Sequence, residues 1–133
     1  VQLYLENNVL NKRNYLTYNK TNPFLLTDYK SYLELKKHLK FKILLDLAHL
    51  RVTSQTLKNN FLKEAHMFAK NTDYFHISDN NGLRDENNGL KKNSKIYKFI
   101  KEYNFSNNSR FTLEIYKDLN LIKKNIRTLN RIL

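Results

Sequence analysis

Four short apolar runs interrupt an otherwise polar chain: Val1 to Leu5, Phe41 to Leu45, Tyr74 to Ile77 and Phe111 to Ile115. Each is partly β-branched or aromatic and lacks clean alternation, the pattern of parallel strands covered on both faces. Helical periodicity fills the intervals. Asp28 to Leu39 places Tyr32, Leu35 and Leu39 on one face, and Thr56 to Ala69 does the same with Leu57, Phe61, Ala65 and Phe68. Ser94 to Tyr103 opens on a capping serine, and Asp118 to Leu133 carries Leu119, Ile122, Ile126, Leu129 and Leu133. The strand-then-helix order recurs at intervals of roughly thirty to forty residues, which predicts βαβ units and a parallel sheet. Segments 7–27 and 78–93, which hold Pro23, Gly82 and Gly89, read as loops after strands. That is the side on which α/β folds keep their sites.

The strand exits share a chemistry. The first ends "LYLEN" with Glu6 at its tip, and the second ends "ILLDLAH" with Asp46 at the tip and His49 three residues on. The third ends "YFHISDN" with His76 and Asp79, and the fourth ends "FTLEIY" with Glu114. A single acid after a strand is ordinarily a helix cap or a turn former. Four such groups in register point instead to a shared site, since a buried carboxylate is costly unless paired or metal-bound. Three oxygen donors and one imidazole nitrogen suit a hard or borderline divalent ion. Carboxylates held that close should raise the pKa of at least one of them. Asp79 reads as the cap of the following loop, and His38 and His66 read as structural helix residues without an acidic or histidine partner.

Composition narrows the classes. The chain has 133 residues, 41% hydrophobic and 13% aromatic, which fits one domain with a real core and excludes simple disorder. No cysteine is present, so disulfides, thiolate metal ligands and a cysteine nucleophile are excluded. No apolar window is long enough for a membrane span. The N-terminus lacks a basic lead and a small-residue cleavage site, so a cytoplasmic location is expected. A formal charge of +12 attracts anions. The lysines are scattered over helix-like segments among many asparagines, however, as a solvated surface shaped by AT-rich codon usage would be.

The motifs "LYLEN", "LLDLAH", "HISDNNGLRDEN" and "TLEIY" resemble, in order and spacing, the sugar phosphate isomerase/epimerase group of xylose isomerase-like TIM barrels, which also includes apurinic-site endonucleases. The resemblance covers essentially the whole chain. It implies an α/β fold of four consecutive βα units, strands five to eight of a (β/α)8 barrel, forming a C-terminal half. It implies that Glu6, Asp46, His76 and Glu114 bind one divalent metal (Mn²⁺, Mg²⁺, Co²⁺ or Zn²⁺), with Glu6 and Glu114 also serving as acid and base. By the same carry-over, His49 contacts substrate hydroxyls and Arg84 holds a distal hydroxyl or phosphate. The expected activity is isomerisation or epimerisation of a sugar or sugar phosphate, provided the barrel is completed.

Two departures qualify this expectation. Where the endonuclease branch carries an Asp-x-His pair after the third strand, this chain has "DEN", so Asp85 is kept and Asn87 replaces the histidine. Asn is a poor metal ligand beside imidazole, which disfavours a multi-metal nuclease site and nucleic acid as a partner. A TIM barrel also needs eight βα units and about 250 residues, and this chain supplies four. A non-catalytic half-barrel that pairs with a second copy, or with a separate N-terminal half, therefore stays open.

Overall fold

The computed structural model describes residues 1–116 and 118–133. Strands β1 (Tyr4–Glu6), β2 (Lys42–Asp46), β3 (Tyr74–Ile77) and β4 (Arg110–Leu113) form one sheet in sequential order. Every neighbouring pair is parallel. Six helices separate and follow them: α1 (Lys12–Thr17), α2 (Tyr29–Lys36), α3 (Leu47–Leu57), α4 (Phe61–Ala69), α5 (Lys95–Glu102) and α6 (Leu119–Ile132). This α/β arrangement is consistent with half of a βα barrel.

Two-residue strand periodicity divides the side chains cleanly. Leu5, Ile43, Leu45, Phe75, Ile77, Phe111 and Leu113 face the helices and join one core cluster with residues of α2 to α6. Phe68 of α4, Phe75 of β3 and Phe99 of α5 are fully buried there. The alternate positions Tyr4, Leu44, Tyr74, His76 and Thr112 share the opposite face and stay half-buried. At the amino end of that face, Tyr4 Oη donates to Asp73 Oδ1 at 2.7 Å. Lys42 Nζ lies 3.3 Å from Asp73 Oδ2, and the Arg110 guanidinium stacks 4.9 Å from both the Tyr4 and Tyr74 rings. Polar and aromatic groups thus occupy the face that the helices leave uncovered.

Helix starts follow local hydrogen bonding. Asp28, Asp46, Asn60, Ser94 and Asp118 each accept a backbone N–H from the first turn of α2, α3, α4, α5 and α6, a contact worth about 1 kcal/mol. The expected helix over 56–69 is corrected. Its first part belongs to α3, which begins directly after β2 because Asp46 caps it, so "RVTSQT" lies within that helix. Lys58 then adopts a left-handed backbone (φ 60°) that ends α3, and Asn60 restarts the chain as α4. Segment 7–27, expected to be loop, contains α1, capped by Asn11. No helix among the described residues is long and apolar enough to cross a membrane.

Candidate metal centre

Strand register brings the four candidate ligands together. Asp46 and His76 are direct partners across β2 and β3, so their side chains emerge side by side on the uncovered face. Glu6 ends β1 on one flank. Glu114 follows β4 on the other, where its backbone N–H donates to Ile77 O at 3.0 Å and carries the β-ladder one residue further. One ligand atom from each of the four residues lies within 4.8 Å of the others, a set that could hold a metal ion.

Distances around His76 define the centre. Its Nδ1 lies 3.0 Å from Glu114 Oε1, 3.3 Å from Glu6 Oε1 and 4.0 Å from Asp46 Oδ2. Nevertheless Nδ1 of His76 and Oδ2 of Asp46 are both buried and make no hydrogen bond. Buried polar atoms are rarely left unpaired, and here a carboxylate oxygen and an imidazole nitrogen share one small space with two more carboxylates. Ligands at about 2.0–2.2 Å from a common ion are mutually separated by distances of this order. The residues present therefore fit a divalent cation.

The electrostatics match that geometry. Burial pushes the Asp46 carboxyl up to about 6, despite the opposing charge and backbone N–H of His49, and the Glu6 and Asp85 charges add to the rise. Contact with His76 holds Glu6 below the usual glutamate value, outweighing its partial burial. Burial works against a charged His76, but Glu6, Glu114 and Asp46 together raise its pKa.

His49 is held differently from the expectation. Its Nδ1 lies 2.9 Å from Asn7 O and its Nε2 lies 3.1 Å from Asp85 Oδ2. Both partners are acceptors, so both ring nitrogens must donate, which makes the ring an imidazolium. Burial opposes this, but Asp85, Asp46 and the Asn7 carbonyl raise its pKa to about 9. Its Nδ1 is 3.6 Å from Glu6 Oε1, so this charge borders the cluster. Arg84 lies outside the cluster, exposed on the wall of a neighbouring concavity that also contains Asp85. Asn87 Oδ1 accepts from Ser78 Oγ at 3.2 Å.

Support residues are largely asparagines. Asn7 is fully buried; its Nδ2 donates to Asp46 O at 3.0 Å and its Oδ1 accepts from Asp46 N at 2.7 Å, clamping the exits of β1 and β2 together. Asn80 is also buried, and its Nδ2 donates to Ala48 O at 2.9 Å. Asp79 accepts from Asn80 N and Lys91 N, at 2.9 and 3.0 Å, and so ties down the loop after β3 as expected of a capping residue. Asn7 sits in the "LYLEN" motif but carries no sequence signal that separates it from the many other asparagines.

No family model, curated protein or solved structure matches the chain.

Proposed function

We propose that this chain forms the metal-binding wall of a divalent-metal-dependent isomerase or epimerase of the xylose isomerase-like TIM-barrel group, acting on a sugar or sugar phosphate. The observation that carries the reading is the convergence of Glu6, Asp46, His76 and Glu114 at the carboxyl ends of four consecutive parallel strands. Active sites of TIM barrels lie at that end. On this reading the sheet is half of an eight-stranded barrel, completed by a second copy or a separate half.

A bound Mn²⁺, Mg²⁺, Co²⁺ or Zn²⁺ would act as a Lewis acid on adjacent carbonyl and hydroxyl oxygens of the sugar. The chain's own residues supply the rest. Glu6 ends one edge strand, Glu114 directly follows the other, and the two flank His76 from opposite sides. Two carboxylates so placed address opposite faces of a substrate carbon, one removing a proton and the other returning it. Contact with His76 holds Glu6 below its usual pKa and keeps it in the carboxylate form a base requires. The His49 imidazolium, fixed by Asn7 and Asp85, offers positive charge where negative charge develops on the substrate oxygens. Asn87, which stands where the nuclease branch carries a histidine, counts against the nuclease alternative, since an amide is a poor metal ligand beside imidazole.

The test is solvent exchange. Ketoses and ketose phosphates are incubated with the chain in D₂O, with Mn²⁺ or with chelator, and deuterium next to the carbonyl is followed by NMR. Exchange should require Mn²⁺ and be lost in Glu6→Gln and in Glu114→Gln. Full Mn²⁺ binding without exchange on any ketose would reduce the chain to a non-catalytic half-barrel.

A further inference from the structure

Arg51 of α3 carries a charge that no acid answers. Its Nε and Nη1 are buried without a hydrogen bond, and it makes no ion pair among the described residues. Ser54, one turn further along α3, is 2% exposed, and its Oγ is likewise buried without a partner. A helical serine often turns its hydroxyl back to the carbonyl four residues earlier, and this one does not. Unpaired buried polar atoms are rare, and an unanswered buried charge is costlier still.

Both side chains line one small cavity of about 20 Å³, together with Gln55, Asn59, Phe61 and Lys95. No carboxylate is among these six residues, so the charges that border the space are all positive. Gln55 and Asn59 bring amide donors to it. Phe61 and Lys95 are the first residues of α4 and α5. First-turn amides lack a partner within their own helix, and the positive ends of two helix dipoles add to the field of Arg51. The loop after β3 packs over the guanidinium, since a Cβ on Gly82 would stand 3.7 Å from Arg51 Nε.

Size decides what can enter. A single water-sized particle needs about 10–15 Å³, so the cavity takes one monatomic anion and is too small for phosphate or sulfate. We infer that Arg51 and Ser54 form a built-in site for one halide-sized anion, which joins α3 to the starts of α4 and α5 and to the loop after β3. That loop carries Asp85, the partner of His49 Nε2, so the ion braces the segment that fixes the imidazolium. None of its ligands is shared with the metal cluster, and the inference does not rest on the proposed function.

The test pairs NMR of the chloride nucleus with urea melts, both in chelator. Exchange with a protein site broadens the chloride line. The parent should broaden it saturably, bromide should reverse the effect by competition, and sulfate at matched ionic strength should not. Arg51→Gln should weaken chloride binding by about tenfold or more and Ser54→Ala by about threefold to tenfold, the effects of losing a charge-assisted and a neutral hydrogen bond. In the melts, replacing gluconate by chloride at constant ionic strength should raise the parent's midpoint to a plateau, because the folded chain alone holds the ion. Stabilisation by sulfate, which acts by exclusion from the surface, should be equal in parent and variants. Ser54→Ala suits a helix and leaves the charge in place, so it carries the test even where Arg51→Gln does not fold. Mn²⁺ binding, titrated without chelator, should be unchanged in both variants. A line width and a midpoint indifferent to chloride would make the cavity a water site and overturn the inference. Chloride effects undiminished in the variants would belong to the surface of a chain of formal charge +12 and would overturn it equally.

Discussion

Asp46 and His76 are register partners on adjacent strands, yet Oδ2 of one and Nδ1 of the other, 4.0 Å apart, are both buried without a hydrogen bond. Asp46 is fully buried, and its other oxygen caps α3 through the His49 N–H at 2.7 Å. One carboxylate thus has a structural oxygen and a second one aimed into the cluster. The two roles separate by mutation. Asp46→Asn keeps a capping oxygen and removes a buried charge, so the metal-free protein should be as stable as the parent or more so, while divalent-metal stabilisation disappears. Asp46→Ala should cost the metal-free protein about 1 kcal/mol through the lost cap. Denaturant melts with and without Mn²⁺ measure both.

Metal affinity should depend steeply on pH. Asp46 titrates near 6 and His76 above its usual value, and both must release protons to ligate. As pH falls through about 6, the apparent affinity for Mn²⁺ should drop by roughly tenfold per unit for each proton that must be displaced. Calorimetry in buffers of different ionisation enthalpy counts those protons directly. Binding flat across this range would mean that neither group is a ligand.

His49 gives the opposite window in the metal-free protein. Its pKa is about 9 in the fold against 6.5 ordinarily. A raised folded value means that its stabilisation is fully present below 6.5 and is lost as pH rises through about 9. Asp85→Asn removes the main partner of Nε2 and should flatten that decline, lowering stability near neutrality by on the order of 2 kcal/mol. The Asp46 contribution has the same sign but an earlier window: its folded value is also raised, so its stabilisation is lost as pH rises from 3.8 through about 6, and the two do not overlap. Urea melts of parent and variant across both windows resolve the two.

Much of this was readable from residue pattern. Apolar runs ending in acids or a histidine placed all four strands and the candidate ligands Glu6, Asp46, His76 and Glu114, because strand period and a common exit put them on one face. The helix boundaries within 47–69 were not readable. Asp46 is both a candidate ligand and the cap of α3, so β2 passes into α3 with no intervening turn residue, and the break at Lys58 uses a left-handed lysine where glycine would have signalled it. The state of His49 was equally hidden. Its two acceptors, Asn7 and Asp85, lie 42 and 36 residues away in the chain and meet it only in the fold.

Gly89 should tolerate no side chain. A Cβ there would stand 2.7 Å from Asn125 Nδ2 and 2.9 Å from Leu121 Cδ1. Asn125 is itself buried, accepts from Leu90 N at 2.7 Å and donates to Leu121 O at 2.8 Å. It cannot retreat without leaving those groups unpaired. Gly89→Ala should therefore destabilise the fold by about 1–3 kcal/mol, read as a lower denaturation midpoint with metal binding retained in the folded fraction.

The central claim is that four side chains, one from the carboxyl end of each strand, form a single divalent-metal site. Titration of the chain with Mn²⁺ under electron paramagnetic resonance counts bound ions directly, at a pH above the Asp46 titration. The account predicts one saturable Mn²⁺ per chain, lost in His76→Ala and in Asp46→Asn and retained in Arg84→Ala. Absence of saturable binding in the parent, or binding unchanged in His76→Ala, would contradict it.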